Sequence, residues 1–346
     1  MSDKFYIFIT VDTEASMYRG RPLPISKMIY GDVNSEYYGI SKIMDILDDY
    51  SLKATFFVSV LEYLYFGEKE IEKVCKTIDE RGHDVQLHIH PQWKVKKKFL
   101  WECDLETQIR LIKEGKELLY KWLGKYPIAH RAGGLSADEN TLFALKLNHI
   151  PIDSSMAFGY PYCKLNEVLP TKNSLCTWDS IIEIPVTTFT QLKLGKFRSY
   201  RNLDINADTF DELIRVLKLA KRKGLSTLTL LMHSFSFLHR NKDRSEFKPN
   251  YQTIRKFKRF LDFITKNSNE MQVTTFKDFY STCSSNSILF NDISYIPYTG
   301  ISLTFKRTLK NFRRGWKNKI FVLLTIIISV GLVILFILLL KAFIRR

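Results

Sequence analysis

Histidine is scarce in this chain, with seven residues in 346. Cysteine is scarcer still. The five cysteines (75, 103, 163, 176 and 283) are odd in number and form no CxxC pair, which argues against a disulfide framework and against a zinc ribbon. Each reads as a small buried apolar side chain. The opening stretch "MSDKFYIFITVDTE" lacks the long apolar run and small-residue cleavage site of a secretory signal. No internal repeat occurs, so solenoids and propellers are excluded. Acidic residues are missing from one end: between Phe305 and Arg346 there are ten Lys and Arg and no Asp or Glu. Most of the net charge of +16 therefore sits in that tail, and the other 304 residues hold 42 basic and 36 acidic groups. A body so nearly balanced carries no broad basic face for nucleic acid.

What is present is a hydrophobic content of 45%, with 14% aromatics, enough for a globular core. Short apolar runs alternate with helical stretches. "FYIFITVD" (5–12), "KATFFVSV" (53–60), "HDVQLHIH" (83–90) and "YPIAHRAGG" (126–134) read as strands. "PIDSS" (151–155), "IIEIPVT" (181–187) and "TLTLLMHS" (227–234) continue them. Helices are expected over 37–52, 68–82, 104–124 and 138–148, the second with apolar residues at 71, 74, 75 and 78. Alternating elements with continuously apolar strands imply an α/β fold with a parallel sheet covered on both faces. About seven such units suit a closed or nearly closed (β/α) barrel over residues 1–285. The run "STCSSNS" (281–287) marks the end of that body.

The expected organisation of the remainder is a linker and basic juxtamembrane segment (286–319), a span (320–340) and a short tail (341–346). The span, "IFVLLTIIISVGLVILFILLL", is uncharged and would be about 31 Å long as a helix. Seven basic residues precede it and three follow, which predicts a single-pass, tail-anchored membrane protein with a cytoplasmic catalytic domain. Phe305, Leu309, Phe312 and Trp316 fall at helical spacing among basic residues, the pattern of a helix lying in the headgroup layer.

In a barrel the chemistry sits at the C-terminal ends of the strands. Those ends carry Asp12 and Glu14, then His88 and His90, then His130 and Arg131, then Asp153, and last His233. A lone strand-end Asp is most often a cap and a lone His most often structural, but ionisable groups at five of the seven strand ends are not explained by capping. The stretch "GHDVQLHIHPQW" (82–93) holds three of the seven histidines. His88 and His90 share a face in a continuing strand, whereas His83 faces the other way and reads as structural.

This set resembles the polysaccharide deacetylase superfamily (the NodB-homology, carbohydrate esterase family 4 fold), in a divergent branch with an HxHP motif. "TVDTE", "GHDVQLHIHPQW", "HRAGG", "IDSS" and "LLMHS" stand where its five motifs would, across residues 5 to about 280. The resemblance implies a distorted seven-stranded deacetylase-type barrel and a divalent metal, zinc first, held by Glu14, His88 and His90. It also implies catalytic roles for four residues. Asp12 is the general base, Arg131 holds that base, His233 is the acid that protonates the amine, and Asp153 orients neighbouring groups. The sequence departs from the pattern at Gln92, where the family's second histidine is expected, and His90 is the substitute. The function implied is metal-dependent removal of an N-acyl group, N-acetyl first, from an amino sugar. A polyprenyl-linked glycan at the cytoplasmic membrane face is the expected carrier. The alternatives are a catalytically impaired, membrane-anchored sugar-binding or scaffold protein and a hydrolase of a non-sugar amide. The long loop after Glu14 (15–39), with Arg19, Arg21 and Lys27, is a place for substrate contacts.

Overall fold

Strand β1 (Phe5–Thr13) is the axis about which the fold is built, and all but one of its residues are buried. A computed structural model describes residues 5–285 and 293–312. In chain order the other strands of the main sheet are β2 (Thr55–Ser59), β3 (Asp84–Ile89), β4 (Ala129–Ala132), β5 (Ile152–Asp153), β6 (Cys176–Trp178), β7 (Ile181–Glu183), β8 (Thr227–His233) and β9 (Met271–Thr274). The sheet order is β6-β7-β5-β4-β3-β2-β1-β8, with β9 also paired to the first half of β1. Every pairing is parallel except β6 with β7.

Helices return the chain between strands, as parallel pairing requires. Local sequence explains where each begins and ends. Helix α1 (Ile40–Asp49) and helix α2 (Glu68–Glu80) each bury one apolar stripe, Ile71, Val74, Cys75 and Ile78 in the second. Helix α3 (Leu105–Leu123) starts where Asp104 accepts the Thr107 N–H (2.8 Å) and stops at Gly124 in the left-handed conformation, φ 69°. Asp138 and Thr209 cap helices α4 (Glu139–Leu147) and α5 (Phe210–Arg222) in the same manner. Helix α6 (Tyr251–Lys266) joins this layer, while helix α7 (Phe276–Ser285) sets Phe276 and Phe279 against Phe8 on the other face of the sheet.

The alternation of β1 sorts its residues onto two faces. Ile7, Ile9 and Val11 join Phe56, Val58, Leu87 and Ile89 in the large core shared with the helices. Phe8 joins Phe57, Ala129, Ile152 and Phe276 in a smaller core on the concave face. Thr10 and Asp12 follow Phe8 on that face, so the concave side passes from apolar to polar toward the C-terminal strand ends.

The sheet corrects the expectation of a seven-stranded barrel. Among the described residues it has nine strands, it curls, and its edges are not joined by a ladder. The reason lies in the edge elements. β5 has two residues and β7 three, and the antiparallel β6–β7 pair caps that edge. Beyond it, irregular chain covers β8 instead: the Leu231 N–H donates to Leu203 O (2.9 Å) and the Ile205 N–H to Leu231 O (3.1 Å). A C-terminal transmembrane helix is likewise not part of the fold that is described. Among the described residues no helix is long and apolar enough to cross a membrane, and residues 320–340, on which that expectation fell, lie outside them. The tail-anchored localisation, the membrane partner and the cytoplasmic orientation rested on that span and are withdrawn with it.

Residues 293–309, expected as linker and juxtamembrane segment, pack on the body. The Thr190 N–H donates to Pro297 O (2.8 Å), and helix α8 (Ile301–Phe312) lies against the strand Thr188–Leu194. Its Arg307 is buried and bonds to Glu212 of α5 and to Gln191, while Phe305 and Leu309 stay exposed. Phe312 and Trp316 lie where no side chain is described. Cys75, Cys103 and Cys163 are buried and Cys176 half-buried, all as free thiols.

Candidate active site

The concave face ends in a layer of ionisable groups whose positions follow from strand register. Asp12 of β1 lies beside His233 of β8 on one side and Phe57 of β2 on the other, and His88 of β3 lies beside Arg131 of β4. Asp12, His88, Arg131 and His233 thus point the same way. Glu14, one step beyond β1, continues the alternation. His90 does the same past the end of β3, because its backbone stays extended (φ −106°, ψ 109°).

Glu14, His88 and His90 each turn one ligand atom to a common point, all within 4.8 Å of one another. Glu14 Oε2 contacts His90 Nε2 and lies 3.3 Å from His88 Nε2. Behind them, His88 Nδ1 is held 2.7 Å from the Arg131 carbonyl, which fixes the ring with Nε2 toward the cluster. Burial by itself would raise the Glu14 carboxyl. The charges of His90 and His88 and their hydrogen bonds outweigh it and hold the group well below the usual carboxylate range. For His88 burial acts downward, but the Asp12 and Glu14 carboxylates raise it above its usual value. One carboxylate and two imidazoles, one of them already oriented by the Arg131 carbonyl, form a donor set that fits a divalent cation such as zinc.

Beside the cluster, Arg131 is fully buried and holds Asp12 through an Nη1–Oδ1 bond of 2.8 Å. The rest of its guanidinium is also used: Nη1 donates to Thr10 Oγ1 (2.9 Å), Nη2 to Ser154 Oγ (2.8 Å) and Nε to Ser154 O (3.0 Å). Its Cζ lies 4.2 Å from the Phe57 ring centroid. Across the mouth, His233 Nε2 stands 3.9 Å from Glu14 Oε1, with its ring stacked on Phe235 (5.0 Å, 26°).

One expected site residue, Asp153, does not join the cluster. Asp153 is in register with His130, and both lie on the face of Leu87, toward the helices. Its Oδ1 bonds to His130 Nδ1 (2.8 Å) and accepts from Ser155 Oγ (2.9 Å). It is Ser154, its neighbour, that faces inward and meets Arg131. His83 accepts the Ala54 N–H (3.2 Å) and burial lowers it to about 4, in keeping with a structural role. Gln92 is half-buried in the turn Pro91–Trp93, past the end of β3.

The chain is similar to the polysaccharide deacetylases in part of its sequence and in its fold. The family model described as polysaccharide deacetylase matches residues 31–151. The fold is similar to the crystal structure of a protein described as a polysaccharide deacetylase from Mycobacterium smegmatis. That likeness has a TM-score of 0.54 at 16% identity, over 85% of this chain and 95% of that one. A peptidoglycan N-acetylglucosamine deacetylase matches with a TM-score of 0.44 at 14% identity, over 80% and 89%. A pseudoenzyme of family CE4 from Bacillus anthracis matches with a TM-score of 0.42 at 13% identity, over 80% and 66%. No curated protein matches the chain in sequence.

Three residues of this deacetylase fold were not signalled by the strand-end reading. Glu62 is fully buried and accepts the Ala15 N–H through both oxygens (2.9 and 3.1 Å), setting the turn that aims Glu14. Burial first, and then the Glu14 charge, push its carboxyl well above the usual range. A single acid inside the apolar run "VSVLEYLYF" was the available signal. Glu183 is buried next to Asp153, and burial followed by that neighbour's charge raises it strongly too. Gly133, in "HRAGG", lies under the His90 ring: a Cβ there would come within 2.4 Å of His90 Nδ1.

Proposed function

We propose that this deacetylase-like protein is a metal-dependent hydrolase that removes an N-acyl group, N-acetyl first, from an amino sugar. The observation that carries the reading is the convergence of Glu14, His88 and His90 beside the buried Asp12–Arg131 pair, with His233 on the opposite side. Glu14, His88 and His90 would hold the cation, zinc first. A cation bound there supplies Lewis acidity, which acidifies a water and polarises the acyl oxygen. Asp12 takes the proton from the attacking water as the oxygen adds to the acyl carbon. Arg131 keeps the Asp12 carboxylate aimed and its charge balanced through that transfer. His233 gives a proton to the amine nitrogen as the C–N bond breaks, so acetate and the free amine leave. Asp153 serves as a positioning residue: it bonds to Ser155 Oγ, next to the Ser154 that holds Arg131.

His90 presents a ligand atom beside those of Glu14 and His88, which supports a hydrolase over a non-catalytic sugar-binding scaffold. The polyprenyl-linked carrier rested on the membrane span and is not part of this reading. Zinc content and acetate release from N-acetylhexosamine oligomers, measured on the same preparation, test it. One zinc per chain, with release abolished by Asp12→Asn and by His88→Ala, is the expected result. Release that survives His88→Ala with metal still bound would overturn the assignment, and release from simple amides alone would move it to non-sugar substrates.

A further inference from the structure

The loop after Glu14 and the hairpin Leu238–Arg240/Phe247–Pro249 are fastened together at the rim of the site. Tyr18 Oη donates to Lys242 O (3.2 Å), Arg244 Nη1 to Met17 O (3.3 Å) and Arg240 Nη1 to Ser16 Oγ (3.3 Å). This fastening gathers cations. Arg19 and Arg244 flank the Tyr18 ring at 5.2 and 5.1 Å, and the Arg240 guanidinium lies 4.4 Å from the Phe235 centroid. Phe235 also carries His233, so one ring joins the arginine cluster to the candidate acid.

Among the described residues the nearby acids do not neutralise these groups by contact. Glu14 is engaged by the two histidines. Asp243 accepts from Ser245 Oγ (2.8 Å) and the Ser245 N–H (3.3 Å), and acts on Arg19 only from a distance. Glu246 pairs with Lys248 (3.6 Å). Arg240 is half-buried and unfavourably placed as a cation: burial and the Arg244 charge lower it, with Glu14 alone opposing.

We propose that Arg240, Arg244 and Arg19 form an oxyanion subsite and that the amino-sugar substrate carries a phosphoryl group seated there. Guanidinium groups present planar donor forks that match phosphate oxygens, and three of them balance a dianion better than a single carboxylate. The proposal rests on the amino-sugar reading of the neighbouring site and names a chemical feature of its substrate.

Calorimetry on the metal-free full chain separates this subsite from the metal centre. The probes are N-acetylglucosamine, its 1-phosphate and 6-phosphate, N-acetylmuramic acid and inorganic phosphate, at an ionic strength of about 0.15 M. One of the sugar phosphates is expected to bind at least ~10-fold tighter than the neutral sugar, the return of about one charge-assisted hydrogen bond. Arg240→Ala and Arg244→Ala should each remove most of that preference, Arg240→Lys should keep part of it, and His88→Ala should leave it intact. Equal affinity for charged and neutral sugars, or a preference surviving in the Arg240→Ala/Arg244→Ala double variant, overturns the subsite. Tighter binding of N-acetylmuramic acid overturns the phosphoryl assignment, and inorganic phosphate binding as tightly as the sugar phosphates overturns the link to substrate. Failure of every N-acetyl probe to release acetate with zinc present would sink the hydrolase reading while leaving the affinity comparison standing.

Discussion

Gly133→Ala tests whether His90 is the ligand that replaces the motif's missing histidine. The added Cβ would lie 2.4, 2.5 and 2.6 Å from Nδ1, Cγ and Cε1 of the His90 ring. Ordinary contact between such atoms is about 3.5 Å or more, so the overlap is roughly 1 Å. The ring can relieve it only by moving off Gly133, and its other nitrogen is the one that faces Glu14. Metal–ligand distances tolerate only about 0.2 Å, so a shift of that size removes the ligand. We expect zinc affinity to fall by about 10- to 100-fold or more, the range for disturbing a ligand's support. The measurement is competition for zinc against a chromophoric chelator, with a thermal melt of the metal-free protein as a control for folding. His90→Ala should weaken zinc at least as much, and Gln92→Ala should bind zinc as the unaltered protein does. Unchanged affinity in Gly133→Ala, or a Gln92→Ala variant as damaged as His90→Ala, would refute the reasoning.

Two further outcomes follow from the buried charges. Arg131→Met leaves the Asp12 carboxylate, 5% exposed, without its cation, and should cost about 3–5 kcal/mol in urea unfolding, while Asp12→Asn in the same chain should recover a large part. Non-coupled costs in the double-mutant cycle would contradict the pairing. Glu183 is raised, so the folded state binds a proton that the unfolded state releases above the ordinary carboxylate range. Stability therefore falls as pH rises past that range, by about 1.4 kcal/mol per pH unit for one proton, until the folded group ionises. Glu183→Gln, which mimics the protonated form, should flatten that slope in denaturation curves between pH 5 and 8. A slope identical in both proteins would show that Glu183 is ionised in the fold.

The elements of the body were legible because each carries its own period. The strands at 5–13, 55–59, 84–89 and 227–233 lie within a residue or two of where apolar runs placed them. The shared face of His88 and His90 followed from the two-residue alternation, whereas Glu14 came in through the resemblance of "TVDTE" to the family's first motif. What was not legible depended on register between distant segments. Asp153 ends a strand as expected, but its pairing with His130 turns it to the helix side. Closure of the sheet was misjudged because it depends on edge strands of two and three residues, too short to show a pattern. The docking of 293–309 hinges on Arg307, a basic residue whose buried partner, Glu212, lies 95 positions away. Nothing local marks such a residue as inward-facing.

The pairing of β1 with β8 and β9 has a consequence for the order of folding. Thr10 reaches Leu230 across 220 positions, and Phe5 pairs with Met271. Asp12 and Glu14, among the first residues made, therefore wait for nearly the whole body before His233 arrives beside them. Contacts of such long sequence separation form slowly. The donor cluster of Glu14, His88 and His90 can be drawn together by the β1–β2–β3 pairings alone, within the first 90 residues. A cation captured by that early sheet would be held before the opposite wall of the site exists, and would serve as a template around which the later strands close.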